Sequence, residues 1–431
     1  MAAKTNTSLD LVIAGGGPAG VMAGLLFARA GCGVQVLEKH ADFFRDFRGD
    51  TVHPSTLELL RELGLLDRFL KRPHDEIRTL TARVANRQIT FADTSHLPVE
   101  SRFVALMPQW DFLDFLSREA QHYPTFSLRM QAETVDLIIE NGRVAGVRLK
   151  DGEEVRARLT IAADGRGSIL REKAGLPKKD LGAPIDVLWF RLPKEKTPTN
   201  QTGGTFGAGT FLVELDRGDY WQCAYVVPKG AADEIRRKGL QAFKSDVARA
   251  APELAPVVDT LKDWDQVKLL SVSLDRLTRW WRPGLLAIGD AAHAMSPVGG
   301  VGINLAIQDA VAAANILAAP LARGEDVDPL LKKVQERRLF PTRVIQGAQK
   351  IVHNRVLTPL VVRKAKLDKV PFVLGLFHRI PLLRRIPARL VGLGVRREHI
   401  RSPDAGLRRA APPRPSRPRG SSRSPRRTAR S

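Results

Sequence analysis

Glycines and carboxylates recur along this chain at spacings suited to holding a phosphate and a polyol. The stretch "DLVIAGGGPAGVMAGLLFARAGCGVQVLEKH" (10–40) contains Gly15, Gly17 and Gly20 as G-x-G-x-x-G. The first glycine permits a tight turn, the second lets backbone approach a pyrophosphate, and the third lets a helix pack closely on a strand. Glu38 stands near the end of the stretch, where a carboxylate accepts hydrogen bonds from a ribose diol. Two further pairs follow apolar runs: Asp164-Gly165 after "RLTIAA", and Gly289-Asp290 after "GLLAI". Beyond the second pair, "SPVGGVGINLAIQDA" (296–310) sets Pro297 and several glycines ahead of an apolar helix. A simple reversal of the chain would not need them.

These residues act together only if regular elements bring them to one place. Residues 10–40 read as strand, glycine turn, helix and second strand, and the helix would offer unpaired N–H groups and its positive dipole end to phosphates. A second helix is predicted to start at about Gly302 to Asn304, with its free N–H groups turned outward and favouring negative charge. Strands are predicted within 183–194, 209–230 and 266–277, with helix and loop across 233–261. Trp189, Arg191, Trp221, Gln222 and Tyr225 are the polar or aromatic positions on those strands that could meet a ligand. Alternation sends half of them to the other face. His53, beside Pro54, reads either as a pocket residue or as a structural histidine.

Three motifs in this order resemble the group A flavoprotein aromatic hydroxylases, the para-hydroxybenzoate hydroxylase-like monooxygenases. They are the G-x-G-x-x-G unit, "ADGRGSILR" at 163–171, and "GDAAHAMSPVGGVGIN" at 289–304, and the resemblance covers roughly residues 10 to 345. It implies an α/β (mixed α+β) fold: a Rossmann-like FAD-binding domain with a β-sheet substrate domain inserted and a helical C-terminal segment. The expected boundaries are 1–175 and 276–345 for the FAD-binding parts, 176–275 for the substrate sheet, 346–403 for a basic amphipathic segment, and 404–431 for a disordered tail. By the same resemblance Asp290 would accept from the flavin's ribityl chain, with Gly289 allowing a close approach. Gly302, Ile303 and Asn304 would face the flavin from the helix start, and Pro297 would line the active site. Arg48, in "FRGDTVHPSTLELLRELGLL" (47–66), would meet the FAD pyrophosphate, and Gln109 the flavin side chain. Asp164 and Gly165 match the motif that touches both FAD and reductant, Asp164 more by holding the loop than by direct contact.

The implied reaction is hydroxylation with NADPH or NADH and O2 through a flavin C4a-hydroperoxide, on a small aromatic or lipophilic, quinone-like molecule. Two alternatives from other classes are a reductase of the geranylgeranyl reductase type and a flavin-containing binding protein with a basic tail. No second G-x-G-x-x-G accompanies the first, which argues against enzymes that hold NADPH in a domain of its own. No C-x-x-C is present for dithiol chemistry, and the W-x-W-x-I-P motif of flavin halogenases is missing.

Charge is concentrated at one end. The chain has 431 residues and a net charge of +22, of which +17 lies in residues 361–431, where 20 Lys or Arg face only Asp368, Glu398 and Asp404. Residues 368–403 alternate apolar groups with arginines and prolines. They read equally as a loose contact with anionic membrane and as a clamp with snorkelling arginines. The Arg/Pro/Ser tail lacks interleaved aromatics, so no specific nucleic-acid partner is expected. Cys32 and Cys223 form no disulfide framework or metal-ligand spacing. The start of the chain shows no signal-peptide pattern, which predicts a cytoplasmic, at most membrane-peripheral, protein.

Overall fold

The computed structural model describes residues 9–44, 51–84, 87–194, 203–207, 209–363 and 372–407. The chain begins β1 (Leu9–Ala14), α1 (Pro18–Arg29), β2 (Val34–Leu37), α2 (Pro54–Glu62) and α3 (Gln109–Ala120). It continues β3 (Phe126–Arg129), β4 (Glu154–Ala162), α4 (Ile169–Lys173), β5 (Leu285–Ala287), α5 (Gly302–Ala322) and α6 (Asp328–Val352). The five labelled strands lie side by side in the order β5-β4-β1-β2-β3, all parallel, within a sheet of eight. β1 is central, and Leu11, Val12, Ile13 and Ala14 are wholly buried, as a strand covered on both faces requires. α1 and α5 form one of those covers. Val298–Ala322, α5 with the turn before it, is the one described helix long and apolar enough to cross a membrane, and most of it is buried in the core.

A second sheet of seven strands stands over the first. Its order is Lys268–Leu270, Ile185–Pro193, Tyr220–Pro228, Thr210–Asp216, Gly203–Gly207, Thr79–Val84, Arg87–Asp93. The last two strands lie before residue 176, so the substrate sheet reaches beyond the expected boundary and draws on the first segment. Thr79–Val84 pairs in parallel with Gly203–Gly207, more than a hundred residues away. The two faces pack differently. Phe190, Tyr225 and the half-buried Trp221 meet Phe243 and Val247 of the helix Leu240–Ala250. Val187, Ala224 and Val226 meet Leu357, Leu360 and Val361, in the π-helical segment His353–Val362 that continues α6. The expected domain break at 345/346 therefore falls inside continuous helix.

After α7 (Arg385–Gly392) the chain does not stay helical. Residues 396–407 run back over the first unit: the Arg401 and Ser402 N–H groups donate to Asn315 Oδ1, and Arg29 donates to the carbonyls of Ser402 and Pro403. Residues 404–407 were predicted to be disordered, yet Ala405 N–H donates to Arg29 O at 2.9 Å and Asp404 pairs with Arg29. The rest of that tail, 408–431, lies outside the described residues. Cys32 and Cys223 are both buried and free.

Candidate functional site

Parallel strands in register deliver all the motifs to one edge. Ala14, Ala162 and Ala287 are paired across β1, β4 and β5, and Ala14 is paired with Leu37 of β2. The ladder continues one residue past the strands, with Gly15 N–H donating to Leu37 O, Ala163 N–H to Ala14 O and Ile288 N–H to Ala162 O. Gly15, Asp164, Gly289 and Glu38 therefore emerge together at the carboxyl ends of neighbouring strands, where open α/β sheets bind ligands.

Each glycine can be judged by what a methyl group there would meet. At Gly15, with φ of +104°, a Cβ would lie 2.3 Å from Ala163 O; at Gly20 it would lie 1.9 Å from Gly15 O. These two are required for the turn and for helix-on-strand packing. At Gly17 a Cβ would meet nothing within 4 Å. Gly17 is the N-cap of α1, which has no side-chain cap and no acid in its first turn. Open space over an uncapped helix end is what an approaching pyrophosphate needs. Glu38 Oε2 accepts from Gly16 N–H and Oε1 from His40 N–H, both at 3.0 Å, so the acid at the end of β2 is held against the loop.

The Asp164 loop is held by its own side chains. Asp164 Oδ2 accepts from Leu170 N–H at 3.3 Å and Ser168 Oγ from Arg171 N–H at 3.1 Å, which together cap α4. Burial pushes the Asp164 carboxyl up from its ordinary value, and its Oδ1 is buried with no hydrogen-bond partner. Gly165, at φ of +85°, is open on its Cβ side. Asp290, a third exposed, faces Arg166, whose Nε donates to its Oδ2 at 3.1 Å. Arg166 was not singled out in the sequence, although its place in "DGRGS" was the signal for it.

Three of the expected residues make contacts within the protein. A Cβ at Gly289 would meet Ala306 Cβ at 3.1 Å and Ala19 Cβ at 3.2 Å, so on its Cβ side this glycine lets α1 and α5 approach each other. The Asn304 side chain is occupied within the protein: Oδ1 accepts from His53 N–H and Thr56 Oγ1, and Nδ2 donates to the carbonyls of Thr51 and Gly300. His53, expected as a catalytic candidate, is 1 % exposed with its Nδ1 2.7 Å from Val391 O, so it fastens α2 to α7. Burial lowers its pKa to about 4.

α5 starts at Gly302 as predicted, uncapped, with Gly302 and Ile303 half-exposed beside it. Pro297 is half-buried and N-caps a short turn through Val298–Gly300. Gln109 is the first residue of α3 and is half-exposed. Arg48 lies outside the described residues.

In the second sheet, Trp189 pairs with Ala224 and Arg191 with Gln222, placing Trp189, Arg191 and Gln222 on one face. Trp221 and Tyr225 take the opposite face, under the helix. The first face also carries Phe206 and Phe211, stacked at 4.2 Å and 9°, with Trp189, Val213 and Val298 packed against the same cluster. Val298 directly follows Pro297, so this face looks onto the motif edge. An uncapped helix end over open space, a buried unpartnered carboxylate oxygen and a held acid beside the glycine loop together fit FAD. Among the described residues no cluster of His, Cys, Asp or Glu could hold a metal.

Comparison with known proteins agrees with this geometry. Residues 8–348 match the family described as FAD binding domain. The chain is 32% identical over 388 residues to 6-methylpretetramide 4-monooxygenase of Streptomyces rimosus, covering 88% of this chain and 91% of that protein. It is 24% identical over 362 residues to 3-demethoxyubiquinol 3-hydroxylase of Escherichia coli (strain K12), covering 81% and 90%. Among solved structures, PqsL of Pseudomonas aeruginosa, described as a probable FAD-dependent monooxygenase, superposes with a TM-score of 0.70 at 20% identity, covering 83% of this chain and 99% of that one. The OxyS anhydrotetracycline hydroxylase of Streptomyces rimosus gives 0.68 at 21%, covering 90% and 76%.

Proposed function

This chain belongs to the FAD binding domain family and is an FAD-dependent monooxygenase with NAD(P)H as co-substrate, and from that footing we propose that it hydroxylates a planar, electron-rich, fused-ring phenol. The observation that carries the proposal is the aromatic face of the second sheet. Phe206, Phe211 and Trp189 stop short of full burial there, packed with Val213 and Val298 beside Pro297. Flat rings stack on such a surface in offset or tilted pairs. Relatives named 6-methylpretetramide 4-monooxygenase and aklavinone 12-hydroxylase are in keeping with such a hydroxylation.

FAD, when bound, supplies hydride acceptance from NAD(P)H and the activation of O2. The chain supplies placement. The ends of α1 and α5 offer N–H groups and positive dipole ends to the phosphates and to the flavin's anionic edge. Glu38 and Asp290 would orient the ribose and the polyol chain, and the second sheet would roof the site and exclude water.

A panel of fused-ring and single-ring phenols tests this through stimulation of NADPH oxidation. Fused-ring phenols should stimulate most, and Phe211→Ala should raise KM by about three- to tenfold. Stimulation by single-ring phenols alone would contradict it.

We also propose a weak contact with anionic membrane. Ile380, Leu382 and Ile386 are 42 %, 63 % and 62 % exposed, with Arg379, Arg385 and Arg389 exposed among them. Apolar and basic groups on one surface complement an anionic lipid headgroup layer. Co-sedimentation with phosphatidylserine vesicles, lost in Ile386→Asp and unseen with phosphatidylcholine, is the expected result. Equal recovery with both vesicles would refute it.

A further inference from the structure

We infer that Asp309 is a positioning residue, set behind the Gly289-Asp290 turn and coupled through Arg338 and Glu398 to the C-terminal strap. The inference rests on Asp290 facing FAD. Asp309 is the one acid of α5 and is 0 % exposed. A carboxylate in such a place must be compensated on all sides or it destabilises the fold. Its Oδ2 accepts from Gly289 N–H at 3.1 Å and lies 2.5 Å from His293 Nε2; its Oδ1 accepts from Arg338 Nε at 2.9 Å. Arg338, 1 % exposed, stands 3.6 Å from Glu398 Oε1. Glu398 is gripped at both oxygens by Arg337, at 2.8 and 3.0 Å, and its N–H donates to Gln308 Oε1.

Geometry makes this chain of charges more than packing. Gly289 has φ of +60° and sits where the strand ladder ends, so its N–H needs an acceptor from outside the sheet. Asp309 is that acceptor, and the backbone it fixes carries Asp290 as the next residue. The other end of the chain is Glu398, within residues that also bind Glu62 of α2, through His399 Nδ1 and Ile400 N–H, and Asn315 of α5. Docking of the strap and orientation of the motif turn are therefore two ends of one buried network. Burial pushes the Asp309 carboxyl up, but His293 and Arg338 outweigh it and hold the group below its ordinary value, so it stays charged.

The test uses Asp309→Asn and Glu398→Gln in the full chain. FAD affinity is measured by titrating flavin fluorescence, flavin geometry by visible circular dichroism, and folding by far-ultraviolet circular dichroism. Asp309→Asn should raise the FAD dissociation constant by about tenfold or more and change the visible band. Glu398→Gln should act in the same direction but less, and the double variant should fall short of the product of the two. A folded Asp309→Asn protein with the parent affinity and spectrum would overturn the inference. If Asp309→Asn does not fold, a folded Glu398→Gln with parent affinity and spectrum overturns it equally. Failure of the parent chain itself to bind FAD would strike the cofactor reading instead.

Discussion

At the residue scale, two neighbouring glycines make opposite predictions. Gly15→Ala forces a positive φ on alanine and drives its Cβ into Ala163 O, so it should destabilise the protein by ~3 kcal/mol, read from denaturant unfolding. Gly17→Ala meets no atom and has φ of −75°, so the protein should fold with parent stability while FAD affinity falls, because the methyl group occupies the phosphate's approach. The G-x-G-x-x-G spacing made both roles legible. It did not make Gly289 legible, because a motif marks where a glycine stands and not whether the space it leaves faces a ligand or a second helix. The side chain of Asn304 had no such signal: it donates to the carbonyls of Thr51 and Gly300, partners some 250 and four residues away. Asp309 had a readable signal, a lone acid in "INLAIQDAVAAANIL", which only burial could turn into a role.

Elements fix the titration behaviour. His53 holds α2 to α7 and is neutral when buried, with a pKa of about 4 against an ordinary 6.5. The unfolded chain takes up that proton first as pH falls, so His53 costs the fold about 3 kcal/mol between pH 6.5 and 4. Glu214, buried in the second sheet near Glu253, behaves oppositely, its pKa raised to about 7 chiefly by burial. It favours the fold below pH 4.5 and loses about 3 kcal/mol of that as pH rises to 7. Glu214→Gln should therefore stabilise the protein at pH 8 and leave it unchanged at pH 4.5, by thermal unfolding at the two values. Strand alternation in residues 185–228 was legible enough to say that half the candidates point away. Which half depended on the helix Leu240–Ala250 covering Trp221 and Tyr225. The strands Thr79–Val84 and Arg87–Asp93 could not be assigned to this sheet beforehand, since nothing local names a partner beyond residue 200.

For the whole molecule, the positive charge and the functional body separate within the C-terminal region. A chain ending after Leu407 should keep FAD and turn over at the parent rate, judged by flavin content and NADPH oxidation. A chain ending after Val395 loses the strap contacts to Glu62, Asn315, Arg337 and Arg338, and should lose most of its FAD on gel filtration. Basic composition had left clamp and membrane contact as equal readings of this region. Residues 396–407 bind the first unit through Asn315, Glu62 and Arg29, while Ile380, Leu382 and Ile386 stand exposed with Arg379, Arg385 and Arg389.

The central claim is oxygen insertion on a substrate held between the motif edge and the aromatic sheet face. Its most direct test is turnover of the FAD-loaded protein with NADPH, a fused-ring phenol and isotopically labelled dioxygen, followed by mass spectrometry of the product. The account requires one labelled oxygen atom in the product for each NADPH consumed in the coupled reaction. A product that is reduced or oxidised but unlabelled, formed at the same rate under nitrogen, would contradict it.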